Sequence, residues 1–536
     1  MRTMAAEEAP LPRTVLTRAQ LAERIARGDV LVVHRRLIYK LNNWIHQHPG
    51  GDLAILHFVG RDARDEIEVY HSDETIRMMR RFAIAQLAPE EATDLAQGRI
   101  FRPLMPPVQL GYRHGKLDHP HAQLDVWDAA PRECARVQTF PLPVDLLEPP
   151  PTEVSLEREA RISARFEALH QQVKDAGMYT LRPQGYAREC VRYLLFAVGA
   201  YGFFQAAARY GTVAYLASAV CLGALWHQVA FTAHDAGHTG ITHIYWVDRL
   251  IGVLVASYVG GLSLVWWCDN HDIHHLVTNH PEHDPDIQHM PIFAISPRFL
   301  PATWRLHKKT EDGAQPRGLW SSYYRRVMEF DGAASTLLRY QHQLYFAIMS
   351  VARFNLYFLS YSFLFLKARR DVWFWFEAIG LAVFWYWFPV HVLGNLPSWP
   401  MCIGYLLVSH IVTSPLHVQI VLSHFAQDTR DLGPYECFAS RQIRTTMDVA
   451  CPRYLDWFHG GLHMQVAHHL FPRLPRHNLR ETRDRFVKPF CDANGLVYEE
   501  LTFTRGNGKV VARLKEIADQ VRILYCVANA QARGAM

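Results

Sequence analysis

Trp266-Trp267-Cys268-Asp269-Asn270-His271-Asp272-Ile273-His274-His275, running on to Asn279-His280-Pro281-Glu282-His283-Asp284-Pro285-Asp286, is the stretch whose reading decides the rest. His271, His274 and His275 stand at i, i+3 and i+4, so a helix puts all three on one face. A helical face of imidazoles is a metal-ligand surface, and imidazole suits iron, zinc or copper. The arithmetic recurs twice. His234-Asp235-Ala236-Gly237-His238 is an i, i+4 pair, and Gln465-Val466-Ala467-His468-His469 sets a glutamine and two histidines at i, i+3 and i+4. One such pair is commonly a surface or core feature. Three clusters, each beside a long apolar run, point to a shared metal site.

The chain's 536 residues exceed one ordinary domain, and its 30 histidines favour metal or haem ligation. Its hydrophobic fraction of 49% is in the globular range, so the average conceals the membrane part. The net charge of +5 comes with no basic block and no aromatic-basic interleaving. That argues against nucleic acid as a partner and suits a cytoplasmic membrane surface. The nine cysteines include no Cys-x-x-Cys, as for reduced thiols facing the cytosol. The opening MRTMAAEEAP has two glutamates and no apolar core, so no secretory signal is visible.

Residues 14–88 read as a small α+β domain. Thr17 and Gln20 fit a capping box, residues 30–33 and 37–41 two short strands, and Pro49-Gly50-Gly51 a tight turn after His48. The turn removes side-chain bulk where a flat cofactor could approach the backbone. His48-Pro49-Gly50-Gly51, followed 23 residues after His48 by Tyr70-His71-Ser72, resembles the cytochrome b5 family across this whole domain. The resemblance implies that His48 and His71 are the axial ligands of a haem b. A haem with both axial sites filled by imidazole carries electrons and does no oxygen chemistry itself. His34, His46 and His57 are expected on the surface.

Residues 89–152 are proline-rich and read as a linker, a tether that would let the haem domain swing to its acceptor. Residues 153–184 hold a charged amphipathic helix, in which the single Glu167-x-x-His170 is read as coincidence. Residues 185–480 form an all-α membrane domain. Four spans are expected, at 193–207, 213–231, 372–393 and 401–422. Residues 250–267, with three glycines, read as re-entrant or interfacial. Residues 344–366, with Arg353 and Asn355 in mid-run, read as a helix lying on the surface. An even count keeps all three clusters and the haem domain in one compartment, as a shared site demands. Residues 481–536 read as a soluble tail, with Arg505-Gly506-Asn507-Gly508-Lys509 as a turn. No Gly-x-Gly-x-x-Gly unit marks a reductase module.

The three clusters, in this order behind a cytochrome b5-like domain, resemble the front-end membrane desaturases, for which the opening Gln465 is characteristic. Asn279, His283-Asp284-Pro285-Asp286-Ile287, Phe330-Asp331, residues 352–357 and Arg444-Thr445-Thr446-Met447-Asp448-Val449 are most similar to the fungal delta-8 sphingolipid desaturases. Trp267-Cys268-Asp269 departs from that pattern, where a lysine is common. The resemblance implies two non-haem iron ions, with ligands at His234, His238, His271, His274, His275, His468 and His469. Gln465 would bind iron or orient a water. His424 is the further ligand expected, with His459 as its rival, and Asp235 and Asp272 would orient imidazoles. It also implies dioxygen, a membrane lipid substrate, NADH-cytochrome b5 reductase as electron donor, and a multi-pass endoplasmic reticulum protein with its histidines facing the cytosol. The expected reaction is desaturation at C8–C9 of a ceramide long-chain base. A fatty-acyl front-end desaturase, a hydroxylase, a metal transporter and a membrane-anchored electron carrier are the alternatives.

Overall fold

In the computed structural model of this chain, residues 11–110, 141–301 and 318–533 are described. The opening decapeptide and residues 111–140 of the expected linker lie outside them. The N-terminal unit begins with strand β1 (Val15–Leu16), helix α1 (Arg18–Ala26) and strands β2 (Leu31–His34) and β3 (Leu37–Lys40). The Thr17–Gln20 capping box forms as expected from the spacing. Helix α2 (Arg64–Tyr70) leads to His71, and β4 (Ala83–Leu87) completes a four-stranded sheet of order β1-β4-β3-β2. β1 runs parallel to β4, and the other pairs are antiparallel. His34 and His57 are buried, correcting the surface expectation. His34 meets Glu68, and His57 is covered by Gln109 and the ring of His283.

Helix α3 (Leu156–Asp175), capped by Ser155, packs against the N-terminal unit, its Ser163 bonding Asp65. Its Glu167 pairs with Arg35 and Arg64, and its His170 with the Tyr179 hydroxyl, so this Glu-x-x-His is structural. α4 (Pro183–Tyr210) and α5 (Thr212–Gly237) form a long apolar hairpin turned at Gly211, whose φ of +61° suits glycine. α6 (Tyr245–Val253) and α7 (Leu264–Leu276) follow, and the segments Tyr245–Val259 and Leu264–Leu276 bend by 116°. α8 (Gln341–Leu366), α9 (Val372–Tyr386), α10 (Trp399–Ile411) and α11 (Ser414–Leu422) complete the apolar bundle.

Five helices among the described residues are long and apolar enough to cross a membrane, where four were expected. The fifth is the stretch ending in α8. Arg353, which argued against a span, is buried among helices. Its guanidinium donates to Gly260 O at 2.6 Å and the Tyr357 hydroxyl at 2.9 Å, and lies over the Trp226 ring. A paired cation facing the bundle interior is compatible with a bilayer. Both ends of α8 meet the same layer. Gln341 bonds Ala294 and Leu514 at one end, and Lys367 at the other lies 5.9 Å from the Tyr323 ring, whose hydroxyl bonds Asp269.

The short helices α12 (Phe438–Arg444) and α13 (Gln465–Leu470) cover the bundle's end. The expected tail is no separate unit. Glu500–Thr502 pairs with Asp448–Ala450, and α14 (Phe503–Ala532) runs through the glycines read as a turn. Val510, Leu514, Ile517 and Val521 of α14 share a core with Leu338, Tyr345 and Met349. Apolar burial at helical spacing outweighs the cost of two helical glycines, about 1 kcal/mol each.

Candidate metal centre and haem pocket

In the haem domain the His48 and His71 rings face each other with centroids 6.1 Å apart. Their Nδ1 atoms donate to Gly51 O and Ile67 O, each at 2.9 Å, which leaves the Nε2 atoms for a ligand. An iron bonded to both at about 2 Å needs ring centres about 6 Å apart, so the pair fits a bis-imidazole haem. Burial lowers the pKa of both, that of His71 to about 4, which favours the neutral, ligating form. Gly51, at φ +80°, makes the turn after His48.

The three histidine clusters converge. α5 carries His234 and His238 at its C-terminal end, α7 carries His271, His274 and His275, His424 follows α11, and α13 carries His468 and His469. Gly237 between the first two is a packing requirement, since a Cβ there would lie 2.1 Å from the Trp267 ring. The ligand nitrogens fall into two sets, each lying within 4.8 Å of one another: His234, His238, His271 and His468, and His274, His424 and His469. His275 joins the sets. Its Nε2 is 3.0 Å from that of His271 and 3.1 Å from that of His468, and its ring stacks on His469 at 4.0 Å. Gln465 is buried on the His468–His469 face of α13. His459 belongs to neither set and bonds Gln419 at 2.8 Å.

The second set is anchored throughout. His274 Nδ1 donates to Asp284 at 2.9 Å, His469 Nδ1 to Gln442 Oε1 at 2.9 Å and His424 Nδ1 to Thr445 O at 3.2 Å. Each bond selects the tautomer that presents Nε2, as metal-ligating histidines require. In the first set the carboxylates stand further off: Asp286 is 3.4 Å from His271, Asp235 3.6 Å from His234 and Asp272 3.8 Å from His238. Burial and neighbouring imidazoles push His468 and His469 well below the ordinary histidine pKa. The Nε2 atoms of His234, His238 and His469 are buried without a hydrogen-bond partner. Imidazoles with orphaned inward nitrogens fit metal cations, which would offset the cost of burying them.

Asp284, Asp286, Gln442 and Asn279 escaped the sequence reading as functional residues. Asn279, at φ +58°, donates its backbone N–H to the Asp284 carboxylate and its side-chain amide to His424 O, tying the second cluster to His424. Gln442 bonds His469, Thr278 and His275 O together. The two aspartates flank Pro285 a few residues after the second cluster, a signal that was available. Gln442 sits on α12 with no motif around it.

Comparison with known proteins matches residues 210–502 to the Fatty acid desaturase family and residues 17–88 to the Cytochrome b5-like Heme/Steroid binding domain. A "Delta 8-(E)-sphingolipid desaturase" of Emericella nidulans is 41% identical, with 95% of each chain covered. The protein of the same name from Komagataella phaffii is 39% identical, covering 95% of this chain and 94% of that one. A "Delta(8)-fatty-acid desaturase 2" of Arabidopsis thaliana is 30% identical over the same shares.

Proposed function

This chain belongs to the fatty acid desaturase family with a cytochrome b5-like domain ahead of it, and we propose that it desaturates the long-chain base of ceramide at C8–C9. The observation that carries the reading is the convergence of eight histidines, six buried and two half-buried, from four distant segments into two adjoining sets. His234, His238, His271, His275 and His468 would hold one non-haem iron, and His274, His424 and His469 the other, with Gln465 beside them. Bound there, an iron pair would supply dioxygen activation capable of breaking an unactivated C–H bond. The overall balance is one saturated –CH2–CH2– unit, one dioxygen, two electrons and two protons giving one –CH=CH– unit and two waters.

The protein's own contribution is positional. Asp284, Gln442 and Thr445 lock three imidazoles in their ligating tautomer, and burial keeps bulk water from the site. His48 and His71 would hold the haem that supplies the electrons, with NADH-cytochrome b5 reductase as the outside donor. We assign four crossings to α4, α5, the helix beginning with α9, and α10 with α11. The return of both ends of α8 to one layer supports this, since the clusters then share the cytosolic face of the endoplasmic reticulum membrane.

The relatives' names make an 8-(E) double bond the expected product. Lipid profiling of a host lacking such an enzyme should show delta-8 long-chain bases on expression. Unsaturated acyl chains with unchanged long-chain bases would instead support the fatty-acyl reading that the Arabidopsis relative's name favours.

A further inference from the structure

The haem-ligand turn is seated directly on the second histidine helix. A Cβ on Gly51 would lie 2.8 Å from Asp269 Oδ1, and one on Gly50 would lie 3.2 Å from both Asp272 Oδ2 and His48 Cε1. A side chain at either glycine would crowd the carboxylates of α7. The contact is broad. Ile273, Leu276 and Val277 of the α7 region and Tyr323 belong to the same apolar core as Leu53, Leu56 and Ile45 of the haem domain. Arg325 pairs with Asp52 at 3.4 Å, and Tyr323 bonds Asp269 at 3.0 Å. On the opposite flank, Ser163 of α3 bonds Asp65 at 2.7 Å, and Glu167 pairs with Arg64 at 3.1 Å. The described parts of the linker also lie on the haem domain: Leu104 N bonds Gly60 O at 2.9 Å, and Leu142 N bonds Ala26 O at 2.8 Å. A tether between units that meet only in passing would not share a core.

Asp272 lies between the two centres. Its Oδ2 faces the His48–Gly51 turn, and its Oδ1 is 3.8 Å from His238 Nδ1. Its neighbours His271 and His274 belong to the metal sets. We propose that the haem domain works as a fixed partner, and that Asp272 is the positioning residue that sets the passage of electrons from haem to metal site at His238. This rests on the diiron reading above. In each passage the haem held by His48 and His71 would give up one electron, going from ferrous to ferric, and the non-haem iron held at His238 would take it up, going from ferric to ferrous, with no bond made or broken. Two passages supply the two electrons of one turnover. Low-dielectric packing at the seam holds both centres without reorganisation, which is how a fixed geometry favours transfer.

Two experiments test this on the full-length protein in nanodiscs. In the first, a protease site is inserted between Thr152 and Glu153, both exposed. After cleavage the haem-bearing fragment should co-elute with the membrane fragment at 150 mM salt. Its release overturns the fixed seat, and this result is independent of the metal assignment. In the second, Asp272→Asn and Gly50→Val are compared with the parent. Both should keep the visible haem spectrum and the non-haem iron content. Reoxidation of pre-reduced haem by dioxygen, with ceramide present, should slow at least tenfold in each, and Asp272→Glu should recover part of the rate. Unchanged reoxidation in Asp272→Asn overturns the assignment. Loss of iron in that variant also overturns it, because Asp272 would then serve only to hold His238. A parent protein without non-haem iron would fail the diiron reading, while retained co-elution would leave the seat intact.

Discussion

The two imidazole sets differ in how they are held. In the set of His274, His424 and His469, every Nδ1 meets an acceptor at 2.9–3.2 Å. In the set of His234, His238, His271 and His468, the nearest carboxylates are 3.4–3.8 Å away. Short bonds fix ring orientation and tautomer, whereas longer contacts leave the rings room to adjust. One half of the centre is therefore built rigid and the other compliant. A compliant half beside a rigid one would suit the proposed centre, which has to take up dioxygen and substrate while keeping its metals.

The strongest way to break this picture is His274→Ala, which removes a proposed ligand from the rigid set. Product formation should vanish while the haem spectrum persists, since His48 and His71 lie in a separate domain. Residual activity above a few per cent would refute the ligand assignment. Next comes Arg476→Met. Arg476 is buried and ion-paired with Glu189 and Asp235, the carboxylate nearest His234. Taking the guanidinium from two buried carboxylates costs about 3–5 kcal/mol. Thermal unfolding in detergent should shift down accordingly, and a loss below 1 kcal/mol would show that the network is dispensable.

Gln442→Leu and Asp284→Asn strike the anchors of the rigid set. Each should weaken non-haem iron binding by about 10–100-fold, the usual effect of losing such a partner. Chelator competition followed by iron analysis reads this directly. Asp286→Asn, at the compliant set, should have the smallest effect, under about tenfold by the same measure. If Asp286→Asn proves worse than Asp284→Asn, the division into rigid and compliant halves is wrong.

How much was legible varies with the reach of the contact. His48 and His71 lie within one short domain, and the turn between them announces itself through Pro49-Gly50-Gly51. The α7 face of His271, His274 and His275 follows from helical period alone. Arg353 could not be placed from composition, which cannot tell whether a charge faces lipid or protein; the structure pairs it inside the bundle. Arg505–Lys509 misled because glycines suggest a turn until burial at Val510, Leu514, Ile517 and Val521 is weighed. His57 was taken for a surface residue because its cover, Gln109 and His283, comes from remote segments.

By itself the amino-acid sequence determined the residue types, the helical faces and the two-part organisation, because these follow from short-range periodicity and turn chemistry. Only the tertiary structure decided which imidazoles gather into one set, that Gln442 and Asp284 anchor them, and that the turn after His48 rests on Asp269 and Asp272. Those choices depend on packing between segments hundreds of residues apart, where a few ångströms separate a ligand from a bystander and no local pattern carries the distance.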